Sequence, residues 1–408
     1  MKNKHKPEIR FPGFSGEWEH LKADEIFHSI SDKNHANLPV LSASQEKGMV
    51  YRAEIGIDIK YDEKSTKNYK RVLPGQFVIH LRSFQGGFAF SSIAGITSPA
   101  YTVLDFKNKE KYYSLFWRYV LASDTFIKRL ETVTYGIRDG RSISFSDFST
   151  LKFRVPSYNE QIKIGNFLKQ LDDTIALQQQ ELTTLKQTKQ GFLQKMFPKE
   201  GESVPDVRFP GFTGDWEQRK LDSMVDRLKS YSLSRDVETN DYTGYKYIHY
   251  GDIHKKVADI IDESSNLPNI KAGNYELLEK GDLVLADASE DYQGIATPAV
   301  ITIDMPYNLV SGLHTIALRP KQVDSLFLYY LINSPIFRKY GYRVGTGMKV
   351  FGISVTNLLK FESIFPSLEE QTKIGNFFEQ LDDTITLHQR ELDALKETKK
   401  AFLQKMFA

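Results

Sequence analysis

Arg82, Ser83 and Gln85 share one short stretch, RSFQGG over residues 82–87, directly after the strand-like run GQFVIH. An arginine can donate to a guanine edge, a glutamine can pair with adenine, and a serine can serve either. The neighbouring Phe84 and the glycines add an aromatic surface and room for close approach. A second stretch, YGIRDGR over residues 135–141, carries Arg138 and Arg141. Later in the chain, DASEDYQ over 287–293 offers Ser289, Tyr292 and Gln293, and GTGMK over 345–349 offers Lys349. Lys246, Tyr247, His249 and Tyr250 form a further set. Side chains of these types can read base edges or simply find phosphate. The competing reading for each is an ordinary solvated loop.

Bond-making chemistry has no comparable candidates. The sequence has no N-P-P-Y or D-P-P-Y run for methyl transfer to a base amine, and no H-E-x-x-H. Residues 341–349 are glycine-rich but lack the Lys-Ser or Lys-Thr that a phosphate-binding loop requires. Nine histidines are scattered and there is no cysteine, so no catalytic or metal-ligating residue is assigned. Asp172 and Asp173, like Asp382 and Asp383, are adjacent on a helical pattern. Helical neighbours point about 100° apart, so such a pair cannot jointly hold a reacting group. A solvated face or a partner-docking site is the expectation there.

The elements that must hold these loops are set by an internal repeat. Residues 160–198 return as residues 370–408, with about 27 of 39 positions identical. In the first copy Ile164, Leu168, Leu171, Ile175, Gln178, Leu182, Leu185, Lys189, Phe192 and Met196 step by four and three. In the second Ile374, Phe378, Leu381, Ile385, His388, Leu392, Leu395, Lys399, Phe402 and Met406 do the same. That is a 3.5-residue apolar seam over more than four heptads, which predicts two long helices paired as a coiled coil. Gln178, His388, Lys189 and Lys399 are polar seam positions, and such residues fix register at a cost in stability. Metal ligation by His388 is the weaker alternative. A turn is repeated too: RFPGFSGEWE at 10–19 and RFPGFTGDWE at 208–217, whose Phe11, Phe14 and Trp18 are expected to pin it to a core.

Between these repeats lie unlike segments in the same order of strands and helices. The expected plan is α+β: two mixed α/β domains, residues 20–155 and 218–365, joined by two long helices forming an antiparallel coiled coil. Residues 1–19 hold a tail and the first turn, 156–198 the first helix, 199–217 a linker and the second turn, and 366–408 the second helix. Two equal helices with two unequal heads predict a pseudo-twofold molecule. A 37-residue helix is about 55 Å long, against about 35 Å for a turn of B-DNA. Such a rod could hold two readers about one turn apart.

At 408 residues the chain is too long for one ordinary core. With 40% hydrophobic and 26% charged residues it has soluble globular composition. There is no run of 18 apolar residues for a membrane span and no apolar segment after the basic N-terminus, so a cytoplasmic location without membrane association is expected. The lack of cysteine fits a reducing compartment. The net charge of +2 leaves any basic surface to segregation of charge.

The two RFPGF-x-G-x-W-E turns, the two P-S-x-x-E-Q helix starts and the two I-G-N-F…Q-L-D-D-T-I…F-L-Q-K-M-F helices together resemble the specificity subunit of type I restriction-modification enzymes. The resemblance covers essentially the whole chain. It implies sequence-specific binding of double-stranded DNA, with residues 20–155 and 218–365 as two target-recognition domains, each reading one half of a split, asymmetric site, and the helices setting the gap. It implies a non-catalytic subunit that docks two methyltransferase subunits. The full complex then adds two ATP-driven restriction and translocation subunits, with S-adenosylmethionine, ATP and magnesium held by partners. The alternatives from the residues alone are a coiled-coil scaffold whose heads bind protein or carbohydrate, and an enzyme with its site in one head. Exchange of residues 20–150 for a homologous head should alter one half-site only, as read by methylation profiling; a change in both would refute one head per half-site.

Overall fold

The structure, a computed structural model, describes residues 7–44, 47–55, 63–80, 87–130, 143–347 and 350–407. The chain divides into two compact units, residues 1–179 with 390–408, and residues 180–389. The two long helices, Tyr158–Lys195 and Leu368–Met406, each give one half to each unit.

In the first unit, strand Glu19–Lys22 pairs antiparallel with Lys152–Val155, tying the start of the unit to the segment that leads into the long helix. Phe27–Ile30, Thr102–Phe106, Phe77–Ile79 and Phe88–Phe90 form an antiparallel four-stranded sheet in that order. Along the central strand, Phe77 and Ile79 enter an aromatic core with Phe27, Phe106, Trp117 and Phe148. Val78 points the other way, into a second cluster with Leu41, Val72 and Val103. Both faces are covered, which is why GQFVIH reads as a continuous apolar run instead of an alternating one. Helices Ser114–Leu121 and Asp124–Leu130 supply Trp117 and Phe126 to the aromatic side.

The second unit repeats the plan, with more strands among the described residues. Glu217–Lys220 pairs with Glu362–Phe365. A five-stranded sheet runs Val225–Leu228, Thr315–Pro320, Leu283–Ala286, Pro298–Ile301, Ile260–Ile261. A four-stranded sheet runs Glu238–Thr239, Asn269–Ile270, Tyr245–Ile248, Asn308–Ser311. Leu283 and Leu285 face one core while Val284 and Ala286 face another. Helices Ser325–Asn333 and Pro335–Val344 follow. The second of these has no counterpart in the sequence reading, because PIFRKYGYRV is short and holds a glycine. Pro335 sits in its first turn, where a missing N–H costs nothing.

The helices pair antiparallel within each unit. In the first, the Phe167 and Phe402 rings meet edge-on at 4.9 Å and Lys399 Nζ lies 2.5 Å from Asp172 Oδ1. In the second, Phe192 meets Phe377 at 5.1 Å, Lys189 Nζ lies 2.5 Å from Asp382 Oδ1, and His388 Nδ1 faces Glu181 at 3.9 Å. Leu168, Leu182, Phe378 and Leu392 are fully buried. Leu171, Ile175, Gln178, Leu185, Leu381, Ile385, His388 and Leu395 are half-buried. Leu177 and Leu387, which fall off the seam, are exposed.

The repeated motifs act at the junction of helix and head. Buried Glu160 receives a two-pronged bond from Arg10 at 2.6 and 2.7 Å, and buried Glu370 receives the same from Arg208. Gln161 accepts the N–H of Tyr113 and Gln371 that of Asp324, both at 2.9 Å. Phe11 packs edge-on against Phe167, and Trp18 against Phe116. The aspartate pairs divide their work, contrary to the expectation of a wholly solvated or partner-facing face. Asp172 accepts from Tyr119 as well as Lys399, and Asp382 from Tyr330 as well as Lys189. Asp173 stays exposed beside Lys169. Burial, reinforced by these carboxylates, pushes both phenols far above their usual range. The linker is also packed: Pro198 and Pro205 are buried, and Glu200 pairs with Lys339 and Arg343.

Gly165 and Gly375 permit the close crossing. A Cβ on Gly165 would lie 2.8 Å from Phe116 N, and one on Gly375 2.9 Å from Leu326 Cβ. Gly191 faces open space, and its repeat partner is Ala401. Gly191→Ala should therefore stabilise by about 0.5–1 kcal/mol, and Gly165→Ala destabilise by about 1–3 kcal/mol, both measured by denaturant unfolding.

Candidate nucleic-acid interface

In the first unit the described residues that flank the two candidate segments can be located. Ile79 pairs with Phe88 across the hairpin, and His80 N–H donates to Gly87 O at 2.9 Å. A Cβ on Gly87 would meet Ile143 Cδ1 at 3.3 Å. Gly87, the first described residue after 81–86, and Ile143, the first after 131–142, are thus neighbours. Arg82, Ser83, Gln85, Arg138 and Arg141 themselves lie outside the described residues, as does Lys349.

The second unit brings three separated segments together at the ends of its central strands. Strand Leu283–Ala286 pairs with Thr315–Pro320, with Ala286 opposite Thr315. Asp287 then donates its N–H to His314 O, and its carboxylate lies 3.1 Å from His314 Nδ1. Ala288–Ser289 pairs with Phe351–Gly352, placing Ser289 opposite Phe351. Ile353 N–H donates to Asp287 O at 2.9 Å. From the short helix Tyr250–His254, His254 Nε2 lies 2.8 Å from Ala288 O. Tyr250 packs against His249 at 4.5 Å and against His314 at 5.4 Å.

Within this cluster the expected residues differ in reach. Tyr292 is 40% exposed, its ring 4.0 Å from that of Phe351, and Gln293 is exposed beside it. Tyr250 is half-buried. Ser289 is buried and its Oγ accepts the N–H of Asp291. His249 is also buried, against the expectation of a side chain available to a base. Its Nδ1 accepts the N–H of Gly251 and so caps the helix, while Asp252 receives the His249 N–H. Lys246 serves the four-stranded sheet, with its ammonium 4.8 Å from the Tyr307 ring centroid.

Two arginines hold the loops, and sequence reasoning passed over both. Arg338 donates to the carbonyls of Ile332, Gln293, Ile295 and Ala296 at 2.7–3.3 Å. Its burial lowers the guanidinium pKa to about 10. The bonds to Gln293, Ile295 and Ala296 clamp the backbone that carries Tyr292. Arg235 joins Glu238 and Asp252, and Tyr247 adds its hydroxyl to Glu238 at 2.9 Å. Burial opposes the charge on Arg235, yet the two carboxylates win and raise its pKa. No local signal marks Arg338, because carbonyl acceptors are not legible in a sequence; Arg235 has a carboxylate three residues on, but its bond to Asp252 shows only in the fold.

Among the described residues, no group of three or more His, Asp and Glu side chains could hold a metal ion. Nor is any described helix long and apolar enough to cross a membrane.

The sequence matches the type I restriction modification DNA specificity domain over residues 15–187 and 213–397. It is 25% identical over 331 residues to the type I restriction enzyme MjaVIII specificity subunit of Methanocaldococcus jannaschii, covering 78% of this chain and 74% of that one. The fold is similar to the crystal structure of a type I restriction-modification S subunit from M. genitalium, with a TM-score of 0.59 at 14% identity over 99% of both chains. It is also similar to a chain from a study of complex assembly and conformational transition of the type I system, with a TM-score of 0.53 at 16% identity, covering 98% of this chain and 99% of that one.

The cap at His249 gives this face an acid limit. Burial, followed by the Arg235 charge, holds its pKa below the ordinary 6.5. A base with a depressed folded pKa gives its full stabilisation above the unfolded value and loses it as pH falls through the folded one. The second unit should therefore lose stability as pH drops below about 6.5, and His249→Asn, which can still cap, should flatten that dependence in urea unfolding across pH.

Proposed function

The chain belongs to the type I restriction modification DNA specificity family, and from that premise we propose that each of its two units reads one half of a bipartite, asymmetric site in double-stranded DNA. The paired helices set the unread gap between the halves and dock two methyltransferase subunits. Two restriction subunits complete the assembly. The subunit itself selects the site and makes no bonds; S-adenosylmethionine, ATP and magnesium are used by the partners.

The observation that carries this reading is the contrast between junction and loop. Both units fix head to helix with the same Arg–Glu, Gln and Tyr–Asp–Lys bonds. The loops held by those junctions differ. A duplicated mount with unlike ends suits two readers of different sequences at a constant separation. The cluster around Asp287, Tyr292 and His314 offers donors, acceptors and aromatic faces, the set that base edges require. Phosphate contacts would orient it without adding sequence information.

Methylation profiling of cells that carry this chain with its partner subunits tests the reading directly: a split motif with a fixed gap is expected. Insertion of one heptad into both long helices should widen that gap and leave the bases in each half unchanged. An unchanged gap would refute the spacer role.

A further inference from the structure

We propose that His314 is a base-reading side chain of the second unit, an inference that rests on the DNA-reading function above. Its backbone is held at φ +55°, a left-handed conformation that few non-glycine residues adopt. Such strain persists where the surroundings over-determine it, and it clusters at functional positions. Here the surroundings are explicit. The residue directly precedes the central strand Thr315–Pro320. Its carbonyl accepts from Asp287 N–H at 3.1 Å, its Nδ1 lies 3.1 Å from Asp287 Oδ1, and its ring meets Tyr250 edge-on at 5.4 Å.

Despite these restraints the side chain is 51% exposed. A histidine required only for packing would be buried; one with no task would be free to rotate. The Asp287 carboxylate accepts from Nδ1, which therefore carries a proton. That leaves Nε2 as the nitrogen for a ligand, an acceptor when the ring is neutral and a donor when it is charged. Among the described residues Nε2 has no hydrogen-bond partner. A ring fixed at one nitrogen, one edge and the backbone presents its other nitrogen without further loss of conformational freedom. That is what reading one base edge demands. Tyr292, also exposed and backed by Phe351, stands on the loop that starts from the same Asp287.

The corresponding place in the first unit supports the assignment. Gly75 and Gly281, both near φ +90°, lead into strands where Phe77 pairs with Leu104 and Leu283 with Leu318. Four residues before Leu318 is His314, and four before Leu104 is Ala100. One framework position thus carries a hydrogen-bonding ring in one unit and a methyl group in the other, as two different half-sites would require. Asp287 and Tyr250 are positioning residues that act through His314.

The test uses the complex reconstituted with its methyltransferase partner and randomised DNA targets. His314→Asn keeps a residue type that tolerates the left-handed backbone. It should reduce preference at one base pair of a single half-site roughly tenfold, leaving the other half-site and the gap intact. Asp287→Asn should weaken the same base pair to a smaller extent, and it carries the test alone if His314→Asn fails to assemble. A profile unchanged by the substitution, or a loss spread evenly over both half-sites, overturns the inference. Absence of any sequence preference in the unmodified complex would instead remove the DNA-reading function on which it stands.

Discussion

A lysine ammonium inside an apolar helix seam is the constraint around which both units are built. Lys189 and Lys399 occupy positions where leucine would pack. An unpaired charge there would be costly, and the cost is offset by an aspartate from the opposite helix, 2.5 Å away in each case. That aspartate also takes a tyrosine hydroxyl from the head, at 2.7 or 2.8 Å. A hydrogen bond to a charged group contributes about 1.5–3 kcal/mol, but direction matters more here than magnitude. An apolar seam tolerates a slip by a heptad. A seam lysine that must meet one carboxylate does not. The same carboxylate that fixes register therefore fixes the head against the helix pair. Gly165 and Gly375 allow the backbones to come close enough for that three-way contact.

Much of this was legible because it is periodic or repeated. The heptad stepping predicted the helices, and the structure gives Tyr158–Lys195 and Leu368–Met406. The apolar run GQFVIH marked a strand, and coverage on both faces is what leaves it without polar alternation. Bonds that join distant segments through polar atoms were not legible. Asp172 and Asp382 look like surface residues in a charged helix, and only the tyrosines from the heads show which member of each pair turns inward. His249 looks like a surface donor, and only its short helix shows that it caps. Arg338 has no recognisable partner in the sequence because its acceptors are carbonyls. His314 was passed over because neither its left-handed φ nor its contacts with the distant Asp287 and Tyr250 can be read from its neighbours in sequence.

The division between mount and loop also explains how one chain can hold two unlike heads. Central strands are packed on both sides, so substitution there is felt throughout the core. The segments beyond their ends are anchored by backbone bonds, such as Asp287 N–H to His314 O and Ile353 N–H to Asp287 O. Side chains at these anchored positions can change without altering the anchor. Ala100 and His314 illustrate the range that one such position accepts.

The way the chain threads its units sets an order for its birth. Residues 180–389 are one uninterrupted stretch, whereas the other unit takes its last piece from residues 390–408. Emerging from the ribosome, the unit that begins first must wait, its helix 158–179 lacking Phe402, which meets Phe167, until residues 390–408 have been made. The later unit can close while its predecessor is still incomplete. Domains usually mature from the N-terminus onward; here the earlier-made head is the one finished last, and its exposed seam is the part of the nascent protein most in need of protection.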